Sequence, residues 1–411
     1  MIISWTRSLS LLVLLCGLGG GSRGPARAAE AQAPAPAPGA APSGQTPSFQ
    51  PLFDGKTLAG WKTVGSGRFE AADGEIRSQS DKKSFLVTEK TYGDFVLELE
   101  TLIEEGGNSG IQLRSHVNDK GVVYGYQAEI DTSKRAWAGG LYDEGRRGWL
   151  NPLEGHPEAQ GAFKNGQWNR YRIVCQGDWI RIWVNGIPTT DYRDSMDLEG
   201  CIALQHHGEK GKVYRWRDIR IQDLGKSAWA PLFNGKTLDG WVSNGAGDWT
   251  AEDGVLVGRA KGVAAHGLLF SKERHGDFTI RLQFKSLMGN SGFYFRVDRD
   301  GRDAGCAGFQ AEIDPQNDVG GLYETYGRDW VVKPKPEDVK RYFRPGQFND
   351  MTVSAHGRRI VVTVNGTKTA ELKDDPGRLE GFLAFQLHGG QEMHVEFKDI
   401  RILKTPAKPV E

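Results

Sequence analysis

Three short segments carry side chains able to move protons or hold a cation. In Tyr126–Asp131, Gln127, Glu129 and Asp131 fall two residues apart; in Gly110–Arg114, Gln112 and Arg114 do the same; in Ile202–His207, so do Ala203, Gln205 and His207. Side chains on a strand alternate between faces, so each set projects together, opposite apolar partners such as Ala128 and Ile130. A carboxylate pair, a guanidinium, amides and an imidazole are the groups that acid–base catalysis uses. The bland alternative is a solvated outer face laced with cross-strand ion pairs.

The chain tests these assignments on itself, because it contains each segment twice. Gln127, Glu129 and Asp131 return as Gln310, Glu312 and Asp314; Arg114 returns as Arg296, with Tyr294 in place of Gln112; Gln205 and His207 return as Gln386 and His388. Leu387 stands where His206 does, which assigns His206 to the core side. A loop follows each carboxylate segment: Tyr142, Arg146 and Trp149 in one copy, Tyr323 and Trp330 in the other. Tyr, Arg and Trp together suit a loop closing over a polar ring, and an Arg simply stacked on Trp is the competing account.

The elements that position these groups are short strands. Phe95, Leu97 and Leu99 alternate with Val96, Glu98 and Glu100, and Ile180, Ile182 and Val184 run up to the hairpin turn Asn185-Gly186. No stretch sustains helical periodicity, and 55 glycines in 411 residues, roughly twice the usual ~7%, suit many tight turns. The fold class read from this pattern is all-β, as two tandem β-sandwich or jelly-roll domains. PLFDGKTLAGW at 51–61 returns as PLFNGKTLDGW at 231–241, which places the domains over 48–224 and 229–405.

Composition narrows the function classes. With 52 basic and 52 acidic residues the chain lacks the basic surplus of a nucleic-acid binder. The apolar run from Leu9 to Leu18 is too short to span a bilayer, which takes ~20 residues. Followed by the A-x-A site Ala26-Arg27-Ala28, it reads as a signal peptide over 1–28, with an Ala/Pro-rich linker over 29–47. The expected location is secreted or periplasmic. Cys175, Cys201 and Cys306 are an odd set and read as ordinary buried thiols. Trp179 and Trp183, opposite a core stripe, are candidate sugar platforms.

In order along the chain, LFDGKTLAGW, GNSGIQLR, YQAEID, GGLYDEGRRGWL, GQWNRYRI, VNG and LQHHG before RDIRI resemble the 3-keto-disaccharide hydrolase family of secreted bacterial proteins, twice over. That resemblance implies a concanavalin A-like jelly roll and cleavage of glycosides already oxidised at sugar C3. It also implies a functional link to a sugar 3-dehydrogenase. A C3 ketone acidifies the C2 hydrogen; the enolate left by its removal expels the C1 substituent, and water then adds. The roles expected are His207 as base, Arg114 or a bound metal as enolate stabiliser and Glu129 as acid or metal ligand, with His388, Arg296 and Glu312 as second-site equivalents. Gln127, Asp131, Tyr142, Arg146, Trp149 and Gln205, and in the second copy Gln310, Asp314, Tyr323 and Gln386, are expected to bind the sugar. The His, Glu and Asp set suits a divalent cation, although no HxxxH-type spacing defines its site. Two other readings compete: a conventional retaining β-glucanase-like hydrolase, for which a second strong carboxylate is unplaced, and a non-catalytic lectin-like module.

Overall fold

The alternating runs form antiparallel strands, and their faces sort as the period predicts. Phe95, Leu97, Leu99, Ile173, Ile180 and Ile182 from one sheet meet Ile111, Leu113, Ala128, Ile130 and Leu204 from the other in one buried core. Each such side chain contributes about 1.5–3 kcal/mol by leaving water, which is what fixes strand register and commits the polar face outward. The computed structural model describes residues 47–262, 264–405 and 410. The expected signal peptide and linker lie outside the described residues, apart from Pro47.

The first sandwich pairs two sheets. In one, the strand order is Ile187–Arg193, Trp179–Val184, Trp168–Gln176, Asp94–Leu102, Tyr214–Gly225, Glu75–Gln79 and Arg68–Ala72. In the other it is Gly148–Asn151, Leu141–Glu144, Val123–Asp131, Asn108–Val117, Cys201–His206, Ser84–Thr88 and Trp61–Val64. The second sandwich repeats both orders, so the protein is two tandem jelly-roll sandwiches of the concanavalin A type. Among the described residues no helix is long and apolar enough to cross a membrane. Cys175, Cys201 and Cys306 are buried and unpaired.

The second sheet sets the three polar segments side by side. Asn108–Val117 lies between Val123–Asp131 and Cys201–His206, with Gly110 opposite Glu129 and Gln112 opposite both Gln127 and Ala203. Gly110 has to be glycine: a Cβ there would stand 2.2 Å from Cδ of Gln127, and one on Gly292 would stand 2.3 Å from Nε2 of Gln310.

Arg114 breaks the alternation. It has a left-handed φ of +46°, and the pairing with Val123–Asp131 shifts register between Leu113 and His116. Such a bulge re-aims a side chain. Arg296, at φ +50°, repeats the device.

Between the sandwiches, buried Asp178 accepts hydrogen bonds from Arg193 (2.7 Å), Thr279 Oγ1 (2.8 Å) and Ser354 Oγ (2.6 Å). Trp179 is part of this seam, with Arg181 and Arg193 stacked on its ring, while Trp183 packs on Val96, Val174 and Leu224. Both tryptophans are half-buried, and Trp179 lines a cavity of about 790 Å³ at this seam, away from the three polar segments.

Candidate functional site

On the polar face of the second sheet lies a cleft of about 530 Å³, lined among others by Asn108, Gln127, Glu129, Arg135, Tyr142, Glu144, Trp149 and His207. Glu129, on the strand Val123–Asp131, is 4% exposed and takes hydrogen bonds from Asn108 Nδ2 and Gln127 Nε2, both at 2.8 Å. Burial raises its carboxyl above the ordinary range, and these two donors only partly offset that. Gln112 and Gln205 donate to Gln127 Oε1, and Gln205 Nε2 also reaches Glu144 at 3.4 Å. Gln205 Oε1 is buried and has no partner. An acceptor left bare at this depth costs about 1–3 kcal/mol.

Tyr142 and Trp149 form an edge-to-face pair with centroids 5.1 Å apart. Arg135 lies 4.9 Å over the Trp149 ring and reaches Glu129 Oε1 at 3.8 Å. Its Nε also donates to Asp131 at 2.9 Å. For Asp131, burial pushes the carboxyl up, but the bonds from Ser133 and Arg135 outweigh it and leave it below the ordinary value. Asp131 is therefore a fixed anion holding Arg135 and the backbone N–H of Trp137.

His207 stands on the rim, exposed, with Nδ1 2.8 Å from Glu209 Oε1. Tyr214 donates its hydroxyl to Glu209 Oε2 at 2.6 Å, and that hydroxyl in turn accepts the backbone N–H of Asn108 at 3.2 Å. Burial works against the charge on Glu209, yet the bonds from Tyr214 and His207 hold it below the ordinary value. A carboxylate on Nδ1 fixes the tautomer that leaves Nε2 as the acceptor. His206 faces the other way, stacked on Tyr214 at 4.1 Å.

Several expected residues are elsewhere. Arg114 is fully buried, donating to Gly93 O, Gly177 O, Asp197 O and Asp94 Oδ1. The bulge sends its guanidinium to the turns of the opposite sheet, so it is not an enolate stabiliser. Arg296 is likewise spent on Gly276 O, Gly357 O, Arg378 O and Asp277. Arg146 points away from the cleft to Asp143 and Asp197, beside Tyr124 and Tyr126, and anchors the loop instead of touching a ligand. The cations at the cleft are Arg135 and Lys83, the latter paired with Glu144 at 3.0 Å. Neither was among the expected residues, nor were Glu209, Tyr214, Glu144 and Asn108. Glu209 could have been found two residues beyond His207.

In the second sandwich Glu312 is 5% exposed, Gln310 donates to its Oε2 at 3.0 Å, and Asn290 is a further side-chain donor to the carboxyl. Burial pushes this carboxyl up to about 8. Gln386 donates to Tyr294, and Gln310 to Gln386. Tyr323 packs edge-on to Trp330 at 5.4 Å and donates to Asp329. Asp314 is half-buried and accepts the backbone N–H of Gln316. His388 has its Nδ1 2.6 Å from the carbonyl of Gly389, with no carboxylate in that place. Among the described residues no group of three or more His, Cys, Asp or Glu is placed to hold a metal ion.

The family model of the 3-keto-alpha-glucoside-1,2-lyase-like domain matches residues 48–222 and again 228–403. The chain belongs to this family. Each match spans one sandwich and contains one copy of the amide–carboxyl row. Among curated proteins none matches the chain. Solved structures similar to it include a candidate glycosyl hydrolase from Parabacteroides distasonis, at 19% identity over 43% of this chain and 94% of that one, with a TM-score of 0.35. A carbohydrate-binding module from Bacillus subtilis is 18% identical over 40% of this chain and 96% of its own, at a TM-score of 0.30. A galectin-like protein from Bacillus subtilis is 14% identical over 42% of this chain and 92% of its own, also at 0.30.

Proposed function

We propose that the first sandwich cleaves glycosides whose sugar carries a ketone at C3, by elimination and rehydration. The observation that carries this is the convergence on one cleft of a carboxylate-oriented imidazole, His207–Glu209, with a buried carboxyl of raised pKa, Glu129. Nε2 of His207 takes the C2 proton. The electron pair is held on the C3 oxygen as an enolate, then forms the C1–C2 double bond as the C1–O bond breaks, and Glu129 gives its proton to the departing oxygen. Water then adds at C1, returning a proton to Glu129 while the imidazolium returns one to C2, so the sum is hydrolysis. Positive charge for the enolate oxygen comes from Arg135 or Lys83, replacing the buried Arg114.

Around this chemistry the Tyr142–Trp149 wall and Gln127 at the cleft floor hold the ring. A conventional retaining mechanism has less support, because the nearby carboxylate Asp131 is fully engaged by Ser133, Arg135 and Trp137. The substrate must come from oxidation of a C3 hydroxyl, the work of a sugar 3-dehydrogenase, and the protein acts outside the cytoplasm. The test offers the purified protein a 3-keto-glucoside, the unoxidised glycoside and an immobilised glycan. Release of 3-keto-glucose from the oxidised substrate alone, lost in His207→Ala, is expected. Turnover of the plain glycoside, or binding without any turnover, would overturn this reading.

A further inference from the structure

The two sandwiches share the amide–carboxyl row and the aromatic pair beside it and differ in the groups that move protons. In the second sandwich Gly390 stands where Glu209 does and Val395 where Tyr214 does, so the chain His207–Glu209–Tyr214–Asn108 has no counterpart. His266 takes the place of Lys83, immediately before the strand residue paired with Leu387, and packs against His388 at 4.5 Å. Thr325 takes the place of Glu144 and shares a hydrogen bond with Tyr294 at 3.2 Å. The Lys83–Glu144 ion pair is therefore gone. Among the described residues no arginine is paired with Glu312 as Arg135 is with Glu129; the nearby cation Lys333 is paired with Asp318 at 3.7 Å and lies over Trp330.

What remains is a set of groups for holding a sugar. Gln310, Glu312 and Gln386 keep the amide–carboxyl row, and Tyr323 with Trp330 keeps the aromatic wall. Glu312 keeps the place of Glu129 in this row, with Gln310 and Asn290 as its side-chain donors. We propose that the second sandwich binds one neutral sugar ring between the Tyr323–Trp330 wall and the Gln310–Glu312–Gln386 row, without turning it over, and so holds the saccharide on which the first sandwich acts. This rests on the first cleft being the one that acts on oxidised glycosides. Charge agrees with it: burial keeps the Glu312 carboxyl up at about 8, so at neutral pH it is a hydroxyl donor and not an anion.

Two measurements on the full chain test this. In the first, His207→Ala is assayed with a 3-keto-α-glucoside. Loss of turnover by at least about 100-fold, with the second cleft intact, is expected; retention of around half would overturn the proposal. In the second, the same His207→Ala chain is titrated calorimetrically with that glucoside. Two binding events per chain, falling to one in His207→Ala/Trp330→Ala, are expected, with the weaker event losing affinity above pH 8 unless Glu312 is replaced by Gln. A single event that Trp330→Ala leaves unmoved would overturn it. A wild-type chain that binds but cleaves nothing defeats the catalytic reading of the first cleft alone, and the response of binding to Trp330→Ala still decides this one.

Discussion

His207 Nδ1 lies 2.8 Å from a carboxylate oxygen of Glu209, and the equivalent imidazole, His388, faces the carbonyl of Gly389. The two copies thus orient the same ring differently, one with a charged acceptor and one with a neutral one. Charge-assisted bonds are roughly twice as strong as neutral ones, so only the first ring has its proton firmly placed on Nδ1.

Glu209→Gln keeps the shape and removes the charge. Turnover of a 3-keto-glucoside should fall on the order of 100-fold, with KM little changed, because the binding wall is untouched. Steady-state kinetics on the variant check this; an unchanged kcat would remove the dyad from the mechanism.

Arg114→Ala should act on stability. It strands the fully buried Asp94, whose carboxyl burial already holds above the ordinary value despite Ser227 and Arg114. Removing one partner of a buried pair costs about 3–5 kcal/mol, read as a lower urea midpoint. The kcat of the folded fraction should stay at the wild-type value, and Arg114→Ala/Asp94→Asn should recover part of the stability.

The positions of Arg114 and Glu209 mark what was legible in the sequence. Period-two patterning gave both sheets and the shared face of Gln127 and Glu129, because burial of Ala128 and Ile130 dictates it. The same rule failed at Arg114, since a one-residue bulge with a left-handed residue reverses the face and leaves no trace in apolar periodicity. Glu209, Lys83 and Glu144 were passed over for a different reason. Comparing the copies favoured what repeats, and the groups that distinguish the first cleft are those the second has replaced. Arg135 sits in the segment where the two copies differ in length, and its contact with Glu129 is made only in three dimensions.

Glu312 gives a pH signature. Its carboxyl titrates near 8 when folded and near 4.5 when unfolded, so the folded state holds the extra proton between those values. Stability should therefore fall as pH rises from about 4.5 to about 8, by on the order of 5 kcal/mol. Denaturation across that range should show the slope, and Glu312→Gln should flatten it, with its largest gain over wild type near pH 9.

The seam between the sandwiches should respond in the opposite sense. Burial, with Arg193 nearby, lowers His356 to about 4 from 6.5, and its Nε2 lies 3.1 Å from Thr279 Oγ1. The folded state binds fewer protons in that window, so this contribution is complete above pH 6.5 and is lost as pH falls toward 4, on the order of 3 kcal/mol in all. Thermal melts at pH 7.5 and 4.5 should differ less in His356→Gln than in wild type.

The most direct test of the mechanism uses a 3-keto-glucoside deuterated at C2, quenched early and read by mass spectrometry. Proton abstraction at C2 predicts slower turnover than the unlabelled sugar and, because the exposed His207 imidazolium exchanges with water before it reprotonates C2, a product that has lost the deuterium. Product that keeps the label and forms at the unlabelled rate would contradict elimination and leave His207 without its role.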